Sequence, residues 1–276
     1  DIEICGQKTK IGRMLFDLGS GAVLGVELCE DLWVPDPPSG SLCVSGANLI
    51  ANLSASDEYV SKAQYRKQLV SGQSARCVCG YVYVGASVFE STTDLLFGGA
   101  LFIAENGGML AEGERFLRQT NLIYSDLDIE KLNALRVKNM SFENSACAAE
   151  LVNAQLENDH NDLRFRYVEP HPFVPENDDK RRERCREIFS IQAGALAKRL
   201  EHVGSSGAVV GISGGLDSTL ALLVTVRAFD LLGLPRKQIT AVTMPCFGTT
   251  DRTYTNACEL TRTLGAELQE VDIREA

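Results

Sequence analysis

Short apolar runs separated by turn residues fill the first half of the chain, and each has the length of one buried strand. Strands are predicted from these runs at residues 22–28, 47–53, 81–87 and 122–128. Apolar residues at near-helical spacing predict a helix within 58–76, and a second helix is predicted at 129–138. Two apolar runs around Asn106-Gly107-Gly108 predict a hairpin over 100–116, so the strands after residue 81 should be antiparallel.

The second half alternates strand-like and helix-like patterns in a regular order. A helix is predicted from about Asp179 to His202. Strands predicted at 207–213, 239–245 and 267–273 then alternate with helices predicted within 214–233 and 253–265. This order is typical of a doubly wound α/β domain, which has a parallel sheet and helices on both faces.

A polar segment rich in Asn and Asp separates the two halves, and it ends in Pro170, Pro172 and Pro175. Such a composition is typical of a linker, or of an arm that lies on a neighbouring molecule. We therefore predict a first domain over residues 1–140, a linker or arm over 141–175 and a second domain over 176–276.

Bulk composition narrows the class of protein. A hydrophobic content of 45% supports real cores, whereas a net charge of −10 argues against a nucleic-acid-binding surface. No uncharged apolar run reaches the length of a membrane span, so no membrane partner is expected. The nine cysteines form no C-x-x-C pair, which favours reduced thiols in a cytoplasmic protein.

The two ends of the sequence predict a piece of a longer protein. The chain begins DIEICG, without an initiator methionine, and it stops directly after a strand-like segment. We expect the first domain to lack its N-terminal part and the second domain to lack its C-terminal part.

The strongest chemical motif, GISGGLDS, lies where a buried strand ends and a helix begins. Its glycines allow unusual φ angles, and successive N–H groups at a helix N-terminus can bind an anion. Because Asp217 would repel a phosphate directly, an intervening Mg²⁺ is implied, with Asp217 as its ligand. The residues assigned to this phosphate site are Gly211, Ile212, Ser213, Gly214, Gly215, Leu216, Asp217 and Ser218. The alternative is a purely structural role, in which the motif is a glycine-rich helix N-terminus with Asp and Ser caps.

A cysteine among acids, in VELCEDLWVP, raises a second question. The thiolate is the reactive form of cysteine, and the charges of Glu27, Glu30 and Asp31 would oppose its formation. Cys29 is therefore either an inert buried thiol or a nucleophile that needs a cation nearby. Taken without its flanking motifs, the inert thiol is favoured.

SGGLDS resembles the loop of the N-type ATP pyrophosphatase family, which holds the β- and γ-phosphates of ATP while a carboxylate or carbonyl is adenylylated. In that family, backbone groups at the end of the next strand meet the adenine. The resemblance assigns this contact to Met244, with Thr243 beside it.

The first half resembles the nitrilase superfamily and, more narrowly, the glutaminase domain of glutamine-dependent NAD⁺ synthetases. VELCEDLWVPDPPS, ANLSAS, SARCVCGYVYVGA, ESTTDLLFGG and ENGGMLAEGERF carry the resemblance, in the family's order and ahead of GISGGLDS. The fold it implies is α/β: the C-terminal half of a nitrilase-like α-β-β-α sandwich, followed by the start of a doubly wound parallel, Rossmann-like ATP pyrophosphatase domain.

The resemblance implies a ligase with two sites. Cys29 matches the nucleophile of a Glu-Lys-Cys triad that hydrolyses glutamine, and Ser56 and Lys62 match positions that contact glutamine, although Lys62 replaces a frequent arginine. Glu30 is expected to line the glutamine pocket. The ammonia released then amidates deamido-NAD⁺, after ATP has adenylylated it in the presence of Mg²⁺. The family forms homo-oligomers.

The triad's Glu and Lys lie outside this chain, because Glu3, Lys8, Lys10 and Glu27 do not sit in the family's motifs. The chain alone is therefore expected to be inactive. Two alternatives stay open: another ATP-dependent glutamine amidotransferase with a different acid substrate, and a non-catalytic piece that supplies only assembly surfaces.

Overall fold

A computed structural model describes residues 1–90, 94–139, 142, 149–154, 156, 163–175, 177–245 and 251–273. Its internal contacts divide the chain into two compact units, Asp1–Val168 and Glu169–Ala276. The division falls within the segment 141–175 that the sequence suggested as a linker. Each unit is described by itself.

A seven-stranded mixed sheet forms the centre of the first unit. Its strands are β3 (Met14–Gly19), β4 (Ala22–Leu28), β5 (Leu49–Ser54), β6 (Gly80–Gly85), β7 (Leu101–Glu105), β8 (Gly108–Glu112) and β9 (Glu150–Asn153), in the order β8-β7-β6-β5-β4-β3-β9. The central strands β4, β5 and β6 run parallel, while β3–β4, β6–β7 and β7–β8 are antiparallel. A separate hairpin pairs β1 (Ile2–Ile4) with β2 (Gln7–Thr9).

Helices and a 3-10 turn connect these strands. They include the turn Cys29–Trp33 and the helices α1 (Pro38–Val44), α2 (Lys62–Arg76) and α3 (Ile129–Val137). Helix α2 buries residues at a spacing of three to four, including Arg66, Val70 and Gln73, against β6 and β7. Leu42 of α1 and Ile50 of β5 join the same core.

Side chains on the two faces of β4–β6 differ in an unexpected way. The face in the core carries polar groups, namely Glu27, Asn52, Ser54, Tyr81 and Tyr83, all at most 7% exposed. The opposite face carries apolar side chains that lie in register across the strands, Leu28 beside Leu53 and Leu53 beside Val84. These three are 57%, 55% and 43% exposed, and we call them the apolar row.

The second unit contains a three-stranded parallel sheet with helical connections. Helix α4 (Asp178–Val203) precedes β10 (Ala208–Gly211), α5 (Leu216–Leu232), a 3-10 turn (Arg236–Gln238), β11 (Ile239–Thr243), α6 (Asp251–Leu264) and β12 (Glu267–Glu270). The strands lie in the order β10-β11-β12 and are parallel throughout. Leu222 and Phe229 of α5 pack with Ile239 and Ala241 of β11 in its core.

Most predicted elements are confirmed, with ends that differ by a few residues. The strand predicted at 122–128 is wrong. This segment has no regular structure, because side chains hold it instead of a ladder: the Asp128 amide donates to Glu105, and Asp126 accepts from the Phe165 amide. Asp128 also caps α3 by accepting from the Lys131 amide at 2.9 Å.

The coarse prediction of a mixed α/β protein with parallel strands is confirmed. The parallel order in the second unit follows from the predicted alternation of strands and helices. Within the residues described here, no helix combines the length and apolarity needed to cross a bilayer.

Candidate functional site

Cys29 lies at a sharp change of direction directly after the parallel strand β4. It opens the 3-10 turn Cys29–Trp33, and its φ of 45° is in the left-handed region that non-glycine residues rarely adopt. Such strained positions concentrate at functional sites. The side chain is half-buried, so the thiol is sheltered and still reachable from solvent.

Two of the three acids beside Cys29 are engaged in hydrogen bonds of their own. Glu27 is 1% exposed and accepts from the Ser39 amide at 2.8 Å and from the Tyr81 hydroxyl. Asp31 accepts from the Leu28 amide at 2.8 Å, which closes the turn. Burial, together with the charge of Glu27, raises the pKa of the Tyr81 hydroxyl. Of the three acids, Glu30 is exposed, Asp31 is half-buried and Glu27 is buried.

The Tyr83 side chain interacts with several residues near the end of β5. Its hydroxyl donates to the Ser54 hydroxyl at 2.7 Å. Burial raises the Tyr83 pKa and the charge of Cys29 adds to the rise, while hydrogen bonds with Ser54 and Ser56 and the charge of Arg66 lower it. The sequence did not single out this tyrosine, whose pKa responds to both Cys29 and Ser56.

Lys62 begins α2 and is only 8% exposed at its side chain. Its ammonium donates to Asp57 Oδ1 at 2.6 Å and lies 5.4 Å and 4.9 Å from the ring centroids of Trp33 and Tyr59. The Lys62 hydrogen bond is the main cause that holds the pKa of Asp57 below its usual value. Trp33 closes the Cys29 turn, so Lys62 contacts the element that carries the candidate nucleophile.

A buried ion-pair network lies beneath this pair. Glu58, 7% exposed at its side chain, binds Arg66 at 2.8 Å through Oε1 and Arg115 at 3.1 Å through Oε2. Arg66 is 1% exposed, and its guanidinium also lies 5.9 Å from the Tyr83 ring centroid. Sequence reasoning missed Glu58, Arg66 and Asp57. The available signal was the spacing of Lys62 and Arg66, four residues apart, which places them along one side of α2, while Glu58 precedes the helix.

In the second unit, the predicted phosphate loop joins β10 to α5. Gly211 ends β10, the Ile212 amide donates to the Val242 carbonyl at 2.8 Å, and Gly215 is the N-cap of α5. Ser213 and Ser218 hydrogen-bond to each other through their hydroxyls at 3.1 Å. No side chain caps the helix at Gly215, so the first-turn N–H groups of α5 face outward unpaired within the described part of the chain.

Gly214 has a φ of +76°, and a methyl group added there would lie 2.0 Å from the Thr253 carbonyl oxygen of α6. The loop backbone therefore fits this path only with glycine. Leu216 is 88% exposed, and Asp217 stands in the first turn of the helix. Met244, 49% exposed, follows β11, whose end pairs with the end of β10. The structure thus brings Met244 to the same edge of the sheet as the loop.

The loop can supply an anion site from its backbone and one carboxylate for a cation. Within the described ranges, no cluster of three or more His, Cys, Asp or Glu side chains is arranged to hold a metal. A single carboxylate at Asp217 suits Mg²⁺, which often takes only one or two protein carboxylates and keeps its other ligands from phosphates and water. The residues present fit an ATP–Mg²⁺ ligand.

The class of the second unit follows from a comparison with protein families: residues 189–276 match the NAD synthase family. Nearly the whole chain is similar to glutamine-dependent NAD(+) synthetases, with 42% identity to the protein of Mycobacterium leprae over 92% of this chain and 39% of that protein. The Mycobacterium tuberculosis protein is 40% identical over 99% of this chain and 42% of its own length. The resemblance noted in the motifs is therefore confirmed, and the chain spans about two fifths of these relatives.

Solved structures with detectable similarity include a glutamine-dependent NAD⁺ synthetase from Acinetobacter baumannii in complex with ADP. It is 22% identical, with a TM-score of 0.39, over 97% of this chain and 42% of that chain. An amidase of the nitrilase superfamily from Nesterenkonia is 16% identical, with a TM-score of 0.36, over 47% of both chains.

Proposed function

We propose that this chain is part of a glutamine-hydrolysing NAD⁺ synthetase, a ligase that amidates deamido-NAD⁺ with ammonia taken from glutamine. The observation that carries the proposal is the presence, in one chain, of Cys29 on a strained turn after a parallel strand and of a glycine-built loop at the start of α5. The 40–42% identity to relatives of that name supports both halves together.

In the first unit, Cys29 is the proposed nucleophile that attacks the glutamine amide and forms a thioester as ammonia leaves. Ser56, Lys62 and Glu30 are the proposed glutamine-binding residues. Lys62, fixed between two aromatic rings and paired with Asp57, is the proposed contact for the α-carboxylate of glutamine. The triad's Glu and Lys are proposed to lie in a part of the protein beyond this chain, and the chain alone is proposed to be inactive.

In the second unit, the proposed ATP site comprises Gly211, Ile212, Ser213, Gly214, Gly215, Leu216, Asp217 and Ser218, with Met244 at the adenine. The unpaired N–H groups of the α5 first turn suit phosphate oxygens, and Asp217 is the proposed Mg²⁺ ligand. When bound, ATP supplies the adenylyl group that activates the nicotinate carboxylate. The chain's own residues are proposed to hold the phosphates, and Met244 follows β11, whose end pairs with the end of β10.

The apolar row supports a more specific fold assignment than the strand order alone does. Leu28, Leu53 and Val84 give three exposed apolar side chains in register on one sheet face. Such a face is normally covered, and a second sheet packed upon it would complete a nitrilase-like α-β-β-α sandwich. We accordingly propose residues 1–140 as part of a nitrilase-like domain, 141–175 as a linker or arm, and 176–276 as the start of a doubly wound, Rossmann-like ATP pyrophosphatase domain, in a homo-oligomeric protein of the cytoplasm.

Product analysis of the full-length protein tests the proposal. Deamido-NAD⁺, ATP, Mg²⁺ and glutamine should yield NAD⁺, AMP, pyrophosphate and glutamate. Asp217→Ala should remove this turnover whether glutamine or ammonia supplies the nitrogen, because both routes need the same ATP site. ATP- and glutamine-dependent amidation of a different acid would favour another amidotransferase, and no turnover of either kind would favour an assembly role.

A further inference from the structure

A carboxylate and an ammonium lie side by side at the start of α2, next to the predicted glutamine contact Ser56. Asp57 Oδ1 and Lys62 Nζ are 2.6 Å apart. Their side chains differ in accessibility, since Asp57 is 40% exposed and Lys62 only 8%. A ligand arriving from solvent therefore meets mainly the carboxylate.

Lys62 is held in place from several sides. The rings of Trp33 and Tyr59 lie within 5.4 Å and 4.9 Å of its ammonium, and each attracts a cation through its π face. Asp57 is anchored as well, because its carbonyl oxygen accepts from the Arg66 guanidinium at 3.4 Å and the residue bridges to Phe97. The two opposite charges thus form a fixed pair.

The pair contacts the turn that carries the candidate nucleophile. The Lys62 ammonium lies 5.4 Å from the ring centroid of Trp33, which ends the turn that Cys29 begins. Ser56, the predicted glutamine contact, directly precedes Asp57 in the chain. The charged pair is therefore tied to the Cys29 turn through Trp33 and to Ser56 through the backbone.

The charge of this pair selects a particular class of ligand. A lone buried lysine would attract any carboxylate, whereas a lysine already neutralised by Asp57 gives little net attraction to a simple anion. A ligand that carries an ammonium and a carboxylate on one carbon can satisfy both partners at once. α-Amino acids have this arrangement, and amides that lack the α-amino group do not.

We infer that Asp57 determines specificity at the glutaminase site by binding the α-ammonium group of the substrate, with Lys62 binding the adjacent α-carboxylate. This inference rests on the proposed function, in which Cys29 hydrolyses glutamine. It assigns the choice between an α-amino acid and its deaminated analogue to a residue that the motif resemblance did not nominate.

The test compares glutamine with glutaramate, which is glutamine without its α-amino group, as substrates of the full-length protein. In Asp57→Asn, kcat/KM for glutamine should fall by about ten- to a hundredfold, mainly through KM, because a hydrogen bond between two charged groups is lost. The value for glutaramate should stay level or rise, since Lys62 is then unneutralised. Asp57→Glu, which keeps the charge, should retain most of the preference for glutamine.

Glu112→Gln is the matched control, because Glu112 pairs with Lys67 on the same unit and both side chains are about half exposed. It should leave the glutamine-to-glutaramate ratio unchanged. If Asp57→Asn leaves that ratio unchanged in a protein whose wild type hydrolyses glutamine, the role of Asp57 is refuted while the proposed function stands. A wild type that releases no glutamate from glutamine overturns both.

Discussion

The two candidate sites of this chain are built from different materials. Around Cys29, long side chains from several elements form the surroundings, and buried ion pairs such as Glu58–Arg66 hold them. Around Gly214, the backbone itself forms the candidate site, and the polar side chains Ser213 and Ser218 bond each other and the loop backbone. The first site depends on which side chains are present, and the second depends on which side chains are absent.

This contrast explains why one sequence motif covers most of the candidate loop but only part of the surroundings of Cys29. A backbone-built site is written as a contiguous motif, because glycines and a helix start must follow one another. A side-chain-built site draws on residues far apart in the chain, such as Cys29, Asp57 and Tyr83. Only tertiary structure brings those together.

The largest expected effect separates the two sites by function. Cys29→Ala in the full-length protein should reduce glutamine-dependent NAD⁺ synthesis by at least about a thousandfold, because no other thiol replaces the nucleophile. Ammonia-dependent synthesis should continue at its wild-type rate. Measuring both rates, with exposed Cys5→Ala as the control, checks this outcome. Loss of both activities together would contradict the two-site proposal.

A single methyl group should show that the loop is built from backbone. Gly214→Ala should reduce NAD⁺ synthesis from either nitrogen source by about tenfold or more. The added carbon meets the Thr253 carbonyl, and a non-glycine residue in the left-handed region costs on the order of 1–3 kcal/mol of backbone strain. Gly194→Ala in α4 is the matched control, because a methyl group there meets nothing within 4 Å and the residue lies in neither candidate site. Equal losses in the two variants would argue against the loop geometry described above.

Truncating one ion-pair partner should destabilise the first unit far more than the second. Arg166 binds Glu105, which is 1% exposed at its side chain, and Arg166→Met would leave that carboxylate with weaker partners at a cost of about 3 kcal/mol. Arg236→Met, in the exposed pair with Asp230, should cost far less, because solvent screens an exposed ion pair. Denaturant unfolding of the full-length variants measures both, and similar losses would remove the distinction.

The smallest effect concerns acid stability. Burial raises the pKa of Glu105, but hydrogen bonds from Arg166 and the Asp128 amide outweigh burial and hold it below the ordinary 4.5. A lowered folded-state pKa adds stability that is complete above the ordinary value and is lost as the pH falls through the lower, folded value. The Arg166→Met variant lacks most of this contribution. The difference in unfolding free energy between wild type and Arg166→Met should therefore become smaller as the pH falls below 4.5. Unfolding midpoints from pH 7 to pH 3 would follow this trend.

Sequence patterns predicted most strands and helices because each apolar run matched one element. They failed at 122–128, where an apolar run is held by Glu105 and other side chains rather than by a ladder. They also gave no indication that Glu27, Asn52 and Tyr81 fill the core side of the sheet while Leu53 faces out. A strand's period of two says that its faces differ, but not which face is covered.

The apolar row has a practical consequence for anyone producing this segment alone. Leu28, Leu53 and Val84 form a continuous exposed apolar surface across three adjacent strands. Two copies of the segment would associate through this surface. A soluble stand-alone segment would need substitutions at these positions, for example to threonine or lysine. Threonine keeps strand propensity, and the charge of lysine opposes aggregation. Such a redesign would give a sheet with one polar, exposed face, next to which the Cys29 turn could be studied.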